Sequence, residues 1–194
     1  MKMTKFTTYI VLFILFVFPA IMTSFVKLIP NGPQPGYDGA NRVSIYGDKI
    51  YEQKFVSDVD NLTAIGASIK NPNLKNKSKV NFQIKDENEN ILREVVLNGF
   101  NIDDGSYIRI NFEPIQNSKD RSFKFVISSI NANVDEVLEL FIIEPNSVIT
   151  KYIYNNEEKE GGTPIVLYSK SKGVLNNIYT VYSNLLSKLL PLYF

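Results

Sequence analysis

The sequence predicts a mainly β protein, a two-sheet jelly-roll-like sandwich with an N-terminal transmembrane helix and a C-terminal amphipathic helix. Three patterns predict it. Apolar residues recur at spacing two in about nine short runs between Arg42 and Tyr168, which is the strand signal. An uncharged apolar stretch fills Phe6 to Val26, and helical spacing takes over after Val174.

The β runs come first because they hold most of the chain. Val80, Phe82 and Ile84 alternate with Asn81, Gln83 and Lys85; Ile108, Ile110 and Phe112 alternate with Arg109 and Asn111; Phe123, Phe125 and Ile127 alternate with Lys124 and Val126. Each run turns one face to a core. Further strands are expected at Lys49–Val56, Asn61–Ile69, Ile91–Leu97, Glu136–Ile143, Val148–Tyr154 and Pro164–Tyr168. Turn chemistry separates them at Asp86–Asn90, Asp103-Asp104-Gly105, Asn117–Asp120 and Glu160-Gly161-Gly162. Short strands at regular spacing without intervening helices point to a sandwich, 42–168.

The N-terminal stretch, FTTYIVLFILFVFPAIMTSFV, is long enough at ~1.5 Å per residue to span a hydrocarbon core of ~30 Å. Pro19 is tolerated there as a kink. The competing reading is a cleaved signal peptide, but the apolar run is long for one and Ala20-Ile21-Met22-Thr23-Ser24 is a poor cleavage site. Lys2, Lys5 and the amino terminus place the start in the cytoplasm and the β domain outside a cytoplasmic membrane, crossed once. Domain 1–27 is thus a signal anchor, and 28–41, with three prolines and three glycines, a linker.

In 169–194, Leu175, Ile178, Tyr182, Leu185, Leu186 and Leu189 share one helical face, and Pro191 stops the helix. The stripe Leu175–Leu190 suits a membrane surface or the flank of the sandwich, and the sequence leaves both open.

Composition removes several chemistries. With no Cys and no His in 194 residues there is no disulfide, thiolate nucleophile, imidazole base or ordinary zinc site. Taking Lys2, Lys5 and Lys27 from the 21 basic residues leaves 18 against 20 acidic ones, so the folded part is close to neutral. No basic run interleaved with aromatics marks a nucleic-acid partner.

Four aromatic residues, Tyr107, Phe141, Tyr152 and Tyr154, fall on strands with polar neighbours and are candidates for a glycan platform, since a ring face buries the apolar C–H surface of a sugar. Core packing is the competing role. Asp58 and Asp60, like Asp103 and Asp104, gather the hard oxygens that a structural calcium ion takes, although neither pair has the spacing of a known calcium loop; turn capping is the alternative. No cofactor is otherwise implied. Paired carboxylates for glycoside hydrolysis have no recognisable spacing, and the candidates Glu52, Glu94, Glu113, Glu136 and Glu139 read as solvated strand positions.

Gln53-x-Phe55, Asp60-Asn61-Leu62, Leu92-Arg93 and Phe112-x-Pro114-Ile115-x-Asn117-Ser118-Lys119 with Phe123-x-Phe125 carry a family resemblance. Over Gln53 to Ser129 the chain resembles the exported β-sandwich domain of bacterial polytopic membrane proteins of the glycosyltransferase type. The resemblance implies a carbohydrate-binding-module-like shape and brings no catalytic residues with it. The larger relatives continue into many membrane spans, which this sequence lacks, so no transferase activity comes with it. In a bacterial protein the glycosylation patterns Asn61-Leu62-Thr63 and Asn76-Lys77-Ser78 carry no meaning. The expected function is a non-enzymatic interaction module binding glycan or an envelope protein; the alternative is an accessory part of a membrane glycosyltransferase system beside a polytopic partner.

Overall fold

The computed structural model describes residues 5–18, 21, 28–35, 41–105, 107–146, 149–170, 173, 175, 176, 178, 179 and 182. The chain divides into two compact units, Pro30–Ser169 and a second made of Met1–Ile29 with Lys170–Phe194. The protein is mainly β, with three antiparallel sheets and one short α-helix among the described residues.

Thirteen strands are described: β1 Leu28–Pro30, β2 Arg42–Ile45, β3 Ile50–Val56, β4 Leu62–Ala67, β5 Ile69–Lys70, β6 Lys79–Lys85, β7 Ile91–Asn98, β8 Ile108–Ile115, β9 Ser122–Ser128, β10 Leu138–Phe141, β11 Ile149–Tyr154, β12 Glu157–Glu160 and β13 Ile165–Lys170. The largest sheet has six strands in the order β12-β11-β3-β9-β6-β7. A second has the order β2-β10-β5, and in the third β13, β4 and β8 are neighbours in that order. The sequence predicts two sheets, and three arise because the chain changes sheet between β4 and β5. Ser68 alone separates those strands, and its carbonyl accepts from the Phe141 N–H at 3.2 Å.

Alternation decides which residues face inward. In β3 Tyr51, Gln53 and Phe55 are buried while Ile50, Lys54 and Val56 are exposed, and β6 and β9 repeat the pattern with Val80, Phe82 and Ile84 and with Phe123, Phe125 and Ile127. These side chains join Leu62 and Ile65 of β4 and Leu138 and Leu140 of β10 in one apolar core. Each buried Phe, Leu or Ile contributes roughly 1.5–3 kcal/mol relative to exposure.

The turns follow their chemistry. Asn155 and Asn156 sit at φ 51° and 63°, the pair of left-handed residues that a two-residue hairpin between β11 and β12 demands. In the β6–β7 turn one oxygen of Asp86 accepts from both the Asn88 and Asn90 N–H groups at 2.9 Å.

The structure describes the two ends of the chain in part. The expected linker 28–41 is partly domain: the Asn31 N–H donates to the Leu167 carbonyl and the Leu167 N–H to Asn31 Oδ1, both at 2.9 Å, which ties Asn31 to β13 like an added strand residue. The expected membrane span Phe6–Val26 is an α-helix at Lys5–Leu12 (α1) followed by a π-helical turn, Phe13–Val17, in which the Phe18 N–H bonds the Phe13 carbonyl. Residues 19, 20 and 22–26 lie outside the described residues, among which no helix is long and apolar enough to cross a membrane. In the expected C-terminal helix, Leu175, Asn176, Ile178, Tyr179 and Tyr182 are helical and the remainder of Val174–Leu190 lies outside the described residues.

Candidate functional site

The outward face of the six-stranded sheet is built by the same alternation that fills the core. Register places Glu52 opposite Val126 and Val126 opposite Gln83, and in the next outward row Lys54 opposite Lys124 and Lys124 opposite Lys85. Ile153 of β11 lies opposite Glu52 on one side and Glu158 of β12 on the other. The β11–β3 ladder shifts register between Ile149 and Tyr152, a bulge that bends the sheet there.

Three hollows follow β3 along this face. One of about 440 Å³ is lined by Lys54, Val56, Glu87, Ser122, Lys124 and Thr150. A narrow waist of about 10 Å³ follows, between Glu52, Lys54, Lys124, Lys151, Ile153 and Glu158. The third, about 610 Å³, is lined by Asp48, Lys49, Ile50, Glu52, Ile153 and the hairpin residues Asn155 and Asn156. The first two share Lys54 and Lys124, and the last two share Glu52 and Ile153, so together they form one trough. At ~3.4 Å per residue the length of β3 gives it a reach of about 20 Å.

Charges in the trough are held by their neighbours. The Lys151 ammonium donates to Glu158 Oε1 at 2.5 Å; that bond raises the proton affinity of Lys151 and holds the Glu158 carboxyl below the usual carboxylate range. Lys124 is bonded to Glu89, which also lies 3.7 Å from Lys85. Farther along the face, Gln83 and Asn81 donate to Glu94 Oε1 at 2.7 and 2.8 Å and lower its pKa.

The four aromatic residues expected to form a platform do not share a surface. Phe141 is 1% exposed and Tyr152 7%, and Tyr152 stacks on Tyr51 with ring centroids 5.4 Å apart, facing the core. Tyr154 is half-buried against the core, and its hydroxyl donates to the Ser44 carbonyl at 2.7 Å. Tyr107 lies just before β8, over Gly66 of β4, with its hydroxyl 2.7 Å from that of Tyr168; burial pushes its phenol pKa up. Tyr152 and Tyr154 follow the inward register of β11, Phe141 is buried on the face of β10 that Glu139 shares, and Tyr107 precedes β8.

The acidic candidates likewise serve turns. Asp58 accepts both bonds from the Asn31 amide at 2.8 and 3.0 Å, and Asp60 accepts from the Asn61 N–H at 3.0 Å. Asp103 accepts from the Gly105 N–H at 2.8 Å, and Asp104 pairs with Lys70 at 2.9 Å, which lowers the Asp104 pKa. Among the described residues no three such groups converge to hold a metal ion.

Several residues behind the family resemblance connect elements of the fold. The Gln53 amide is fully buried and donates to the Thr163 carbonyl at 3.0 Å. The Arg93 guanidinium donates to the carbonyls of Glu113 at 2.6 Å and Pro114 at 2.7 Å, joining the two motif segments on β7 and β8. The Ser118 hydroxyl accepts from the Leu62 N–H at 2.9 Å and donates to the Val59 carbonyl at 2.8 Å. Asn76, in one glycosylation-like pattern, is fully buried, with its side chain bonded to the Glu136 carbonyl and the Ser78 N–H.

Sequence reasoning missed the trough residues Lys54, Lys124 and Lys151. Their outward position is legible from alternation with Phe55, Phe123 and Phe125 and with Tyr152. Their adjacency depends on cross-strand register, which alternation does not encode.

No family model matches the chain, and no curated protein is similar to it. Among solved structures it is similar to a Bacillus licheniformis β-glucanase, with 12% identity, 75% of this chain and 92% of that chain covered, and a TM-score of 0.22. So loose a superposition carries no argument about fold or activity.

Proposed function

We propose that this protein is a membrane-anchored, extracytoplasmic module of jelly-roll-like form that binds glycan along the outer trough and does no chemistry on it. The observation that carries the reading is the trough, whose linked hollows follow β3 for its whole length. A shallow linear site fits an extended polymer, and its amines, amides and hydroxyls match the hydrogen-bonding groups of a sugar chain. Glu158, bonded to Lys151, is held as the carboxylate and is not suited to the general-acid role in glycoside hydrolysis. The anchor rests on the apolar run Phe6–Val26 and the lysines before it.

Retention of the full chain, held in non-ionic detergent micelles, on immobilised glycans is the direct test. Binding to at least one glycan that Ser122→Trp abolishes, by filling the hollow of about 440 Å³, is the expected result. A chain that ignores every glycan refutes the reading. The anchor is checked separately by carbonate extraction of membranes, which should leave full-length protein in the pellet; a soluble product beginning near residue 25 would mean that the N-terminal run is a cleaved signal peptide.

A further inference from the structure

The trough has an electrostatic defect where its first hollow meets the waist. Lys54, Lys124 and Lys85 stand directly opposite one another on β3, β9 and β6. Neighbouring strands lie ~4.8 Å apart, and like charges placed directly opposite destabilise a sheet. A row of three is therefore costly unless something negative lies across it.

Part of the answer comes from the chain itself. Glu89, in the β6–β7 turn, bonds Lys124 and lies 3.7 Å from Lys85. It does so from a left-handed backbone, φ 64°, which a side-chain-bearing residue adopts uncommonly. The same carboxylate remains about half exposed, with 52% of its side chain accessible. Lys54 has no hydrogen-bond or ion-pair partner among the described residues, and the acid that its charge reaches, Glu158, is itself bonded to Lys151. Glu87 lines the hollow of about 440 Å³ and Glu52 lines the waist, so an acid lies on either side of the Lys54–Lys124 pair and confines the positive stretch to one position along the trough.

We infer that the end of the 440 Å³ hollow between Lys54 and Lys124, where it meets the waist, is a subsite for a single anionic group, a carboxylate or phosphate on a sugar of a linear glycan, and that Glu89 occupies part of it as an internal competitor. The inference rests on the glycan-binding reading and deepens it by naming an acidic glycan. In the free protein Glu89 neutralises Lys124; in the complex the ligand's anion takes Lys124 and Lys54 together while Glu89 stays with Lys85. An anion held by two ammonium groups gains charge-assisted hydrogen bonds that a neutral sugar does not make. Flanking Glu52 and Glu87 disfavour a polymer charged at every residue and favour one in which acidic and neutral sugars alternate.

The test is affinity electrophoresis of the full chain in non-ionic detergent through gels containing hyaluronate, sparsely phosphorylated dextran or neutral dextran. The first two arms separate carboxylate from phosphate as the anion. Binding to one of the two should exceed binding to dextran and should weaken with added salt. Glu89→Gln should tighten it by about threefold, the scale of losing one exposed ion-pair competitor. Lys54→Ala with Lys124→Ala should weaken it by about tenfold or more, and Lys54→Met alone by less. Lys54 is exposed and Glu89 half exposed, so thermal unfolding of Lys54→Met and Glu89→Gln should stay close to that of the parent chain, and Lys54→Met, which keeps the aliphatic stem, covers the case in which the double variant does not fold. Dextran bound as well as the anionic polymers, or binding indifferent to Glu89→Gln and to the lysine changes, would overturn the subsite and leave a glycan module standing. Retention of no polymer at all would overturn both.

Discussion

Gln53→Leu should destabilise the domain by about 2–6 kcal/mol, because it leaves two buried polar groups without partners at roughly 1–3 kcal/mol each. The side chain is fully buried on the inward face of β3. Its oxygen accepts from the Tyr51 hydroxyl and from the Thr163 N–H at 2.7 Å, and its amide donates to the Thr163 carbonyl. Leucine keeps the approximate volume and removes all three bonds. The Thr163 N–H still finds the Tyr51 hydroxyl at 2.7 Å, whereas the Tyr51 proton and the Thr163 carbonyl find nothing. Tyr51→Phe is the informative comparison: Gln53 then continues to serve Thr163, so the loss should be nearer 1 kcal/mol, the ordinary net worth of one hydrogen bond. Chemical denaturation of the two variants measures both. Equal and small losses would show that the network is not what fixes the chain after β12 onto β3. The neighbouring Gly162 is part of the same arrangement, since a Cβ there would lie 2.6 Å from Gln53 Oε1 and 2.7 Å from a methyl of Ile149.

This network explains what was legible in the sequence. The runs around Phe55, Phe82 and Phe125 show their alternation because one face of each strand is buried and the other wet. They appear as β3, β6 and β9 with the expected residues inward. The strand Glu157–Glu160 was invisible for the opposite reason. It is an edge strand with every residue exposed, so it carries no apolar period at all, and its charges are what an unpaired edge requires. The short strand Arg42–Ile45 is too brief to show a period. The family resemblance includes Gln53, Arg93 and Ser118, whose side chains satisfy backbone groups of other segments; such residues report architecture and are silent about ligands. The trough depends on register, and register is fixed by packing between strands far apart in the chain. Lys54 and Lys124 are opposite each other across 70 positions of sequence, a relation no local pattern contains.

Tyr152→Ala should cost about 3–5 kcal/mol of stability, the range for truncating a large buried aromatic side chain, without acting on any ligand directly. Its ring is 7% exposed, stacks on Tyr51, and belongs to the core shared by all three sheets. Removing it opens a cavity beneath the ladder between β11 and β3, where the Ile149–Tyr152 register shift already interrupts regular pairing. Tyr152→Phe keeps the ring and the stacking and should leave stability within about 1 kcal/mol, as volume-conserving exchanges do. The pair therefore separates two roles that the sequence left open. A platform residue would lose glycan binding in the alanine variant while the fold survived. A core residue loses the fold first, and at temperatures where Tyr152→Ala is still folded its glycan binding should match that of the parent chain. Thermal unfolding followed by circular dichroism, with affinity electrophoresis below the lowered midpoint, reads both quantities on one preparation. If Tyr152→Ala melts with the parent and binds poorly, the ring faces the ligand and the inward register of β11 is wrong.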